Sequence, residues 1–173
     1  MRLDRSTRRR GAHLVECAFI FSVLMLLLIG LVVGAFGVFR YQQMAYLARE
    51  AARYAAVHGG QYQKENAAAI AAGTLPNVTS AYITTNIVQG NAVGLDPSAL
   101  SVAVNFNMSS GSYSWDDTAN NGARWPNSPR TVNGTTYNDT NTVSVTVTYQ
   151  WAPEWFFAGP ITITSTAIMP MCY

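Results

Sequence analysis

The apolar positions of this chain fall into two regimes, one continuous run near the start and a set of alternating runs in the second half. Cys17 to Phe39 carries no charge and is rich in Phe, Leu, Ile and Val. It is long enough to cross a bilayer as a tilted helix. Beyond it, Arg40 to Val57 (RYQQMAYLAREAARYAAV) has strong helix formers and no Gly or Pro, so the helix is predicted to continue outward without interruption. Tyr41, Met44, Ala45, Ala48, Ala51, Ala52 and Ala55 recur there at helical spacing as a stripe of mostly small side chains that permits close packing of another element. From Ala12 to Val57 a continuous helix would be roughly 69 Å long at about 1.5 Å per residue. His58-Gly59-Gly60 supplies the stop.

After Gly60 the texture changes. Glu65 to Ala72 (ENAAAIAA) predicts a short helix ended by Gly73. Four strands are expected: around Ala81, Ile83 and Ile87; around Val102, Val104 and Phe106; over Val143 to Tyr149, with valines and tyrosine on one face and hydroxyls on the other; and from Ile161. Alternation favours an antiparallel sheet with one buried face, covered by the outer half of the long helix. The expected fold is α+β: a basic leader (1–11), a transmembrane helix (12–39), its exported continuation (40–58) and an exported domain (59–173) with a long loop, 108–141. That loop calls for a function, a hairpin or disorder.

Charge is distributed unevenly. Residues 1–53 hold eight bases against three acids (8 − 3 = +5) and the rest three against six (3 − 6 = −3), within a total of +2. Arginines ahead of the apolar run remain cytoplasmic under the positive-inside rule, which places the chain beyond Arg40 across the membrane. No basic patch for nucleic acid is present. Two histidines, no paired Cys/His spacing, no phosphate loop and no nucleophile elbow argue against an enzyme, and no cofactor is expected. Asp116-Asp117 and Asp139 lack the regular ligand spacing of a calcium loop, so no metal is expected.

Glu16 is the acid at the edge of the apolar run, where a carboxylate is costly without a partner or a function. It stands five residues after Gly11, which ends the basic leader. This arrangement resembles a type IV prepilin signal, cut after the glycine by a membrane aspartic peptidase. Cleavage would then separate Gly11 from Ala12 and leave glutamate as the fifth residue. The block from Gly11 to Ala56, with RRGAHLVECAFIFSVLMLLLIGLVVG and then AREAARYAA, resembles the TadE-like minor pilins or pseudopilins of tight-adherence (Tad, or Flp) pilus systems; VSVTVTYQW and GPITITSTAIM are similar to their strand-rich tails. The resemblance implies a prepilin peptidase, other Tad pilins, an inner-membrane assembly platform and the lipid bilayer as partners, a role in adhesion, and no catalytic residues. It also implies that Glu16 of one subunit meets the new amino group of a neighbour and fixes register. The simpler reading solvates Glu16 among headgroups beside His13 and Arg10.

Other features keep two readings. Gly30 and Gly34, extended by Gly37, form either a close-packing face in lipid or ordinary membrane composition. Ala48 and Ala52 belong to the small-residue stripe. Trp151, Trp155, Phe156 and Phe157 could contact a partner or the membrane surface, or fold back to cap the sheet. The alternative to an assembly subunit is an unprocessed, signal-anchored surface protein whose β-rich domain binds a ligand.

Overall fold

The computed structural model describes residues 5–117, 124–153 and 159–172, with the backbone alone for 5–12. Helix α1 runs unbroken over Arg5–Val57, about 80 Å at the usual rise. Its apolar half exposes its side chains: one helix within His13–Val57 is long and apolar enough to cross a membrane, with none of its most apolar window buried inside the molecule. In lipid an unbroken helix satisfies every backbone N–H and C=O, which is why the glycines at 30, 34 and 37 do not interrupt it.

The outer half is amphipathic in the ordinary sense. Met44, Leu47, Ala48, Ala51, Ala52, Ala55 and Ala56 are buried, at the i, i+3, i+4 spacing of one helical face. Tyr41, assigned to that stripe from the sequence, is exposed, and Leu47 belongs to it instead. The helix stops at His58, whose Nδ1 lies 2.8 Å from the Tyr54 carbonyl oxygen. Helices α2 (Gly60–Glu65) and α3 (Ala67–Ala71) come next, and Gly73 at φ 73° turns the chain away.

The next segment departs from expectation. Where Ala81, Ile83 and Ile87 suggest a strand, the chain forms α4 (Ser80–Tyr82), continuing directly into a π-helical segment, Ile83–Gln89. The reason lies in the spacing. Ile83, Ile87 and Val88 recur with a helical period, and Ile83 and Val88 are fully buried. Thr79 caps the start, its Oγ1 accepting from Tyr82 N at 3.1 Å. Thr79→Ala is expected to cost about 1 kcal/mol, read as a lower urea midpoint for the full chain in micelles.

A 3₁₀ turn, Pro97–Ala99, leads into the sheet. Strands β1 (Leu100–Met108), β2 (Gly111–Ser114), β5 (Thr142–Trp151) and β6 (Ile161–Pro170) form one antiparallel sheet in the order β2-β1-β5-β6. Its register sets Val104 opposite Val145, and Val145 opposite Ala167. The inward row of β5 is Val143, Val145, Val147 and Tyr149, packed with β6 against α1. The outward row carries hydroxyls that pair across strands, Thr146 with Thr166 at 2.9 Å and Thr148 with Thr164 at 3.3 Å. A residue period of two thus separates core from water.

The described part of the 108–141 connection carries regular structure. Besides β2 it holds a two-stranded hairpin, β3 (Asn127–Val132) and β4 (Thr135–Thr140). Asn133 and Gly134 both take positive φ, 50° and 79°, as a tight turn between strands of right-handed twist requires. Asn141 fastens the hairpin to the core: buried, it donates from Nδ2 to Trp125 O at 2.8 Å and accepts at Oδ1 from Ser128 Oγ at 2.8 Å.

Two contacts orient the sheet on the helix. Cys172 N donates to Ala56 O at 3.0 Å, and a Cβ on Gly37 would stand 3.2 Å from the Trp151 ring. The strands therefore lie along α1, with the Trp151 end of the sheet next to the apolar span.

Candidate functional site

The N-terminal features share one helix. Gly11 and Ala12 lie inside α1, so the bond between them sits in continuous helical backbone. Glu16 is one turn beyond His13, with Oε2 3.7 Å from His13 Nδ1 and both side chains largely exposed. Among the described residues, His13 is the one Glu16 pairs with. Its carboxylate is exposed on α1 where the apolar run starts.

The small residues divide into two groups. A Cβ added at Gly30 or Gly34 would meet nothing within 4 Å, so this face is open to a neighbouring helix or to lipid. Gly37 instead lies under the ring of Trp151 in the same chain. Ala48 and Ala52 are fully buried within the subunit, on an α1 that packs against β5, β6 and the Ile83–Gln89 segment; their small size serves close packing inside the chain. Trp151 is half-buried at the end of β5. Trp155, Phe156 and Phe157 lie outside the described residues.

Residues not singled out in the sequence hold the top of the domain together. Trp115 is 1% exposed and donates its ring N–H to Val78 O at 2.9 Å. The Arg124 guanidinium lies 4.7 Å from its ring centroid and donates through Nη2 to Gln63 Oε1 at 2.7 Å. Burial pulls the Arg124 pKa below its ordinary value, opposed by the Asp116 carboxylate. Gly60 makes room for this: its N–H donates to Arg124 O at 2.7 Å, and a Cβ there would come within 3.2 Å of that carbonyl. Asp116, a metal-ligand candidate in the sequence, accepts from Ser80 N at 2.9 Å. Asp139 faces Arg130 at 3.4 Å. Both carboxylates have structural partners.

Near the end of α1, Tyr54 and His58 stack with centroids 4.0 Å apart, and Tyr62 meets His58 edge-on. Burial, then a hydrogen bond with Tyr82, raise the Tyr54 phenol to about 12. This cluster joins the helix end to α2 and α4.

Comparison with known proteins places the N-terminal segment. Residues 11–53 match the family described as TadE-like protein, a stretch that starts at Gly11 and includes Glu16, the apolar span and the Ala48 to Arg53 block. No curated protein and no solved structure matches the chain.

Proposed function

We propose that this TadE-like chain is a membrane-anchored minor pilin or pseudopilin that takes part in assembling a Tad-type pilus or secretion apparatus. The observation that carries the reading is the extent of the family match, which opens at Gly11 and so includes the proposed cut, Glu16 and the anchor together. On this reading a prepilin peptidase hydrolyses the Gly11–Ala12 bond, leaving a carboxylate on Gly11 and an amine on Ala12. The arginine-rich leader stays on the cytoplasmic face of the inner membrane, and the sheet domain lies on the other side. The role is structural, with adhesion as the apparatus's output.

Glu16 supplies the contact between subunits. Its carboxylate, exposed on the lone subunit, pairs with the Ala12 amino group of a neighbouring helix, and Gly30 and Gly34 allow the helices to approach. In low dielectric such a pair is strong and either charge alone is expensive, so the contact sets axial register. Glu16→Ala is expected to insert normally and keep its domain folded, while its recovery with the other pilins and the assembly platform falls about tenfold or more, the loss expected for removing one member of a desolvated pair. Recovery at the wild-type level would remove Glu16 from assembly.

A further inference from the structure

The membrane-facing end of the domain holds a cleft of about 380 Å³ between α1 and the end of the sheet, lined among others by Val33, Phe36, Arg40, Asp96, Tyr149 and Trp151. Its height is set by the helix. A hydrocarbon core of about 30 Å takes about 20 residues, and counted from Cys17 that length ends at Phe36. Val33 and Phe36 thus lie at the upper edge of the acyl region, Arg40 one turn above, at headgroup level. Trp151 stands beside them, in the position where an amphipathic ring is favoured. On the other flank Gln43 Nε2 donates to Val93 O at 3.2 Å and holds the exposed Val93 against α1 about one turn above Arg40. With the apolar span in a bilayer, the Trp151 end of the sheet faces the bilayer surface.

The cleft is lined by one charge of each sign. Arg40 donates from Nη1 to Gln43 Oε1 at 3.0 Å, a neutral acceptor, and no carboxylate among the described residues forms an ion pair with it. Asp96 accepts at Oδ1 from Ser98 N at 2.9 Å and Ser98 Oγ at 2.8 Å, and these hydrogen bonds hold its carboxyl below the ordinary range. Arg40 and Asp96 line one cleft, yet no ion pair joins them among the described residues. A molecule with an anion and a cation a few ångströms apart can satisfy both.

We propose that this cleft seats the head group of a phospholipid carrying a primary ammonium, its phosphate on Arg40 and its ammonium on Asp96, beside Trp151. Arginine suits the phosphate because its fork donates two parallel hydrogen bonds. A primary ammonium brings three N–H donors to the carboxylate, whereas a quaternary ammonium brings none. A glycerol head group offers no cation to Asp96. The occupant is a membrane lipid because the cleft opens where the exposed apolar span ends. Seating it fixes the domain's height and rotation on the bilayer. The inference needs the span to be in a membrane, and nothing about processing or pilus entry.

The test is native mass spectrometry of the full chain, released from detergent containing equimolar phosphatidylethanolamine, phosphatidylcholine and phosphatidylglycerol of equal acyl length. Phosphatidylethanolamine is expected to be retained about tenfold over the other two, the preference one charge-assisted contact of about 1.4 kcal/mol supports. Asp96→Asn, which preserves the acceptor for Ser98 N, should abolish that preference, and Arg40→Gln should lower retention of all three. Asp96→Ser, another residue that caps the Pro97–Ala99 turn, serves should the asparagine variant misfold. Millimolar O-phosphoethanolamine should leave the bound lipid in place. Equal retention of phosphatidylethanolamine and phosphatidylcholine, a preference that survives in a folded Asp96 variant, or displacement of lipid by the soluble head group would each overturn the proposal.

Discussion

Trp115→Ala is expected to lower the unfolding free energy of the domain by about 3–5 kcal/mol, the range for deleting a large buried aromatic. Trp115 is 1% exposed and among the largest fully buried side chains, and three connections end on it. Its backbone N–H donates to Val104 O at 3.0 Å, tying it to β1. Its ring N–H holds the Val78 carbonyl ahead of α4, and its ring face receives the Arg124 guanidinium. Alanine would open a cavity, leave the Val78 carbonyl without its donor and take the aromatic surface from a buried cation. Trp115→Phe separates these terms: it keeps most of the apolar area and should lose about 1–2 kcal/mol through the unsatisfied carbonyl. The measurement is urea unfolding of the full chain in micelles, monitored by circular dichroism. A change within about 0.5 kcal/mol for Trp115→Ala, the scale of a surface substitution, would show that this junction does not support the fold.

The same residue marks the limit of what is legible in the sequence. Periodicity carries the long helix, because Cys17–Phe39 is uniformly apolar and the residues to Val57 repeat at helical spacing. It carries β5 as well, because Val143, Val145, Val147 and Tyr149 alternate with hydroxyls that do face out. Trp115 gives no such signal because it lies past the end of β2 with no repeating neighbours, and its role comes from residues 37 positions away in one direction and nine in the other. Such contacts have no local signature. The hairpin is different: Val132-Asn133-Gly134-Thr135 is a strong local turn signal between residues able to form strands, obscured by the polar composition around it. The segment from Ser80 reads as a strand because Ala81 and Ile83 alternate, although Ile83, Ile87 and Val88 already share a helical period and Thr79 is an available cap.

The candidate site is legible to a different degree. Gly11, Glu16 and the apolar run stand out as a linear pattern, and the structure places them on one helix. The separation of Gly37, Ala48 and Ala52 from Gly30 and Gly34 cannot be read from spacing, since it depends on where the sheet lies along α1. Arg40 and Asp96 are 56 positions apart, and only the fold brings them to one cleft.

Gly11→Leu is expected to leave the leader on essentially every copy and to keep the chain out of the assembled apparatus. The helix itself sets the difficulty of the cut. A bond within α1 has its carbonyl engaged in the i to i−4 pattern, so a peptidase must open the backbone locally before water can attack it. Glycine lowers that cost by about 1 kcal/mol relative to alanine and presents no side chain to the approaching enzyme. Leucine restores the helix and adds bulk at the scissile carbonyl. With the leader retained, no amino group forms at Ala12, and Glu16 of the neighbour has no cation to meet. Glu16→Ala and Gly11→Leu should therefore fail at the same stage of assembly, the second with the leader attached. A Gly11→Leu chain that still co-purified with the other pilins would separate assembly from cleavage.

The proposed pilin role depends on that bond, and the most direct measurement is the intact mass of the chain purified from its native membrane. Cleavage predicts a chain that begins at Ala12, with or without a methyl group on the new amine. A chain that begins at Met1 would contradict the pilin reading and leave an unprocessed anchor carrying a β-rich domain.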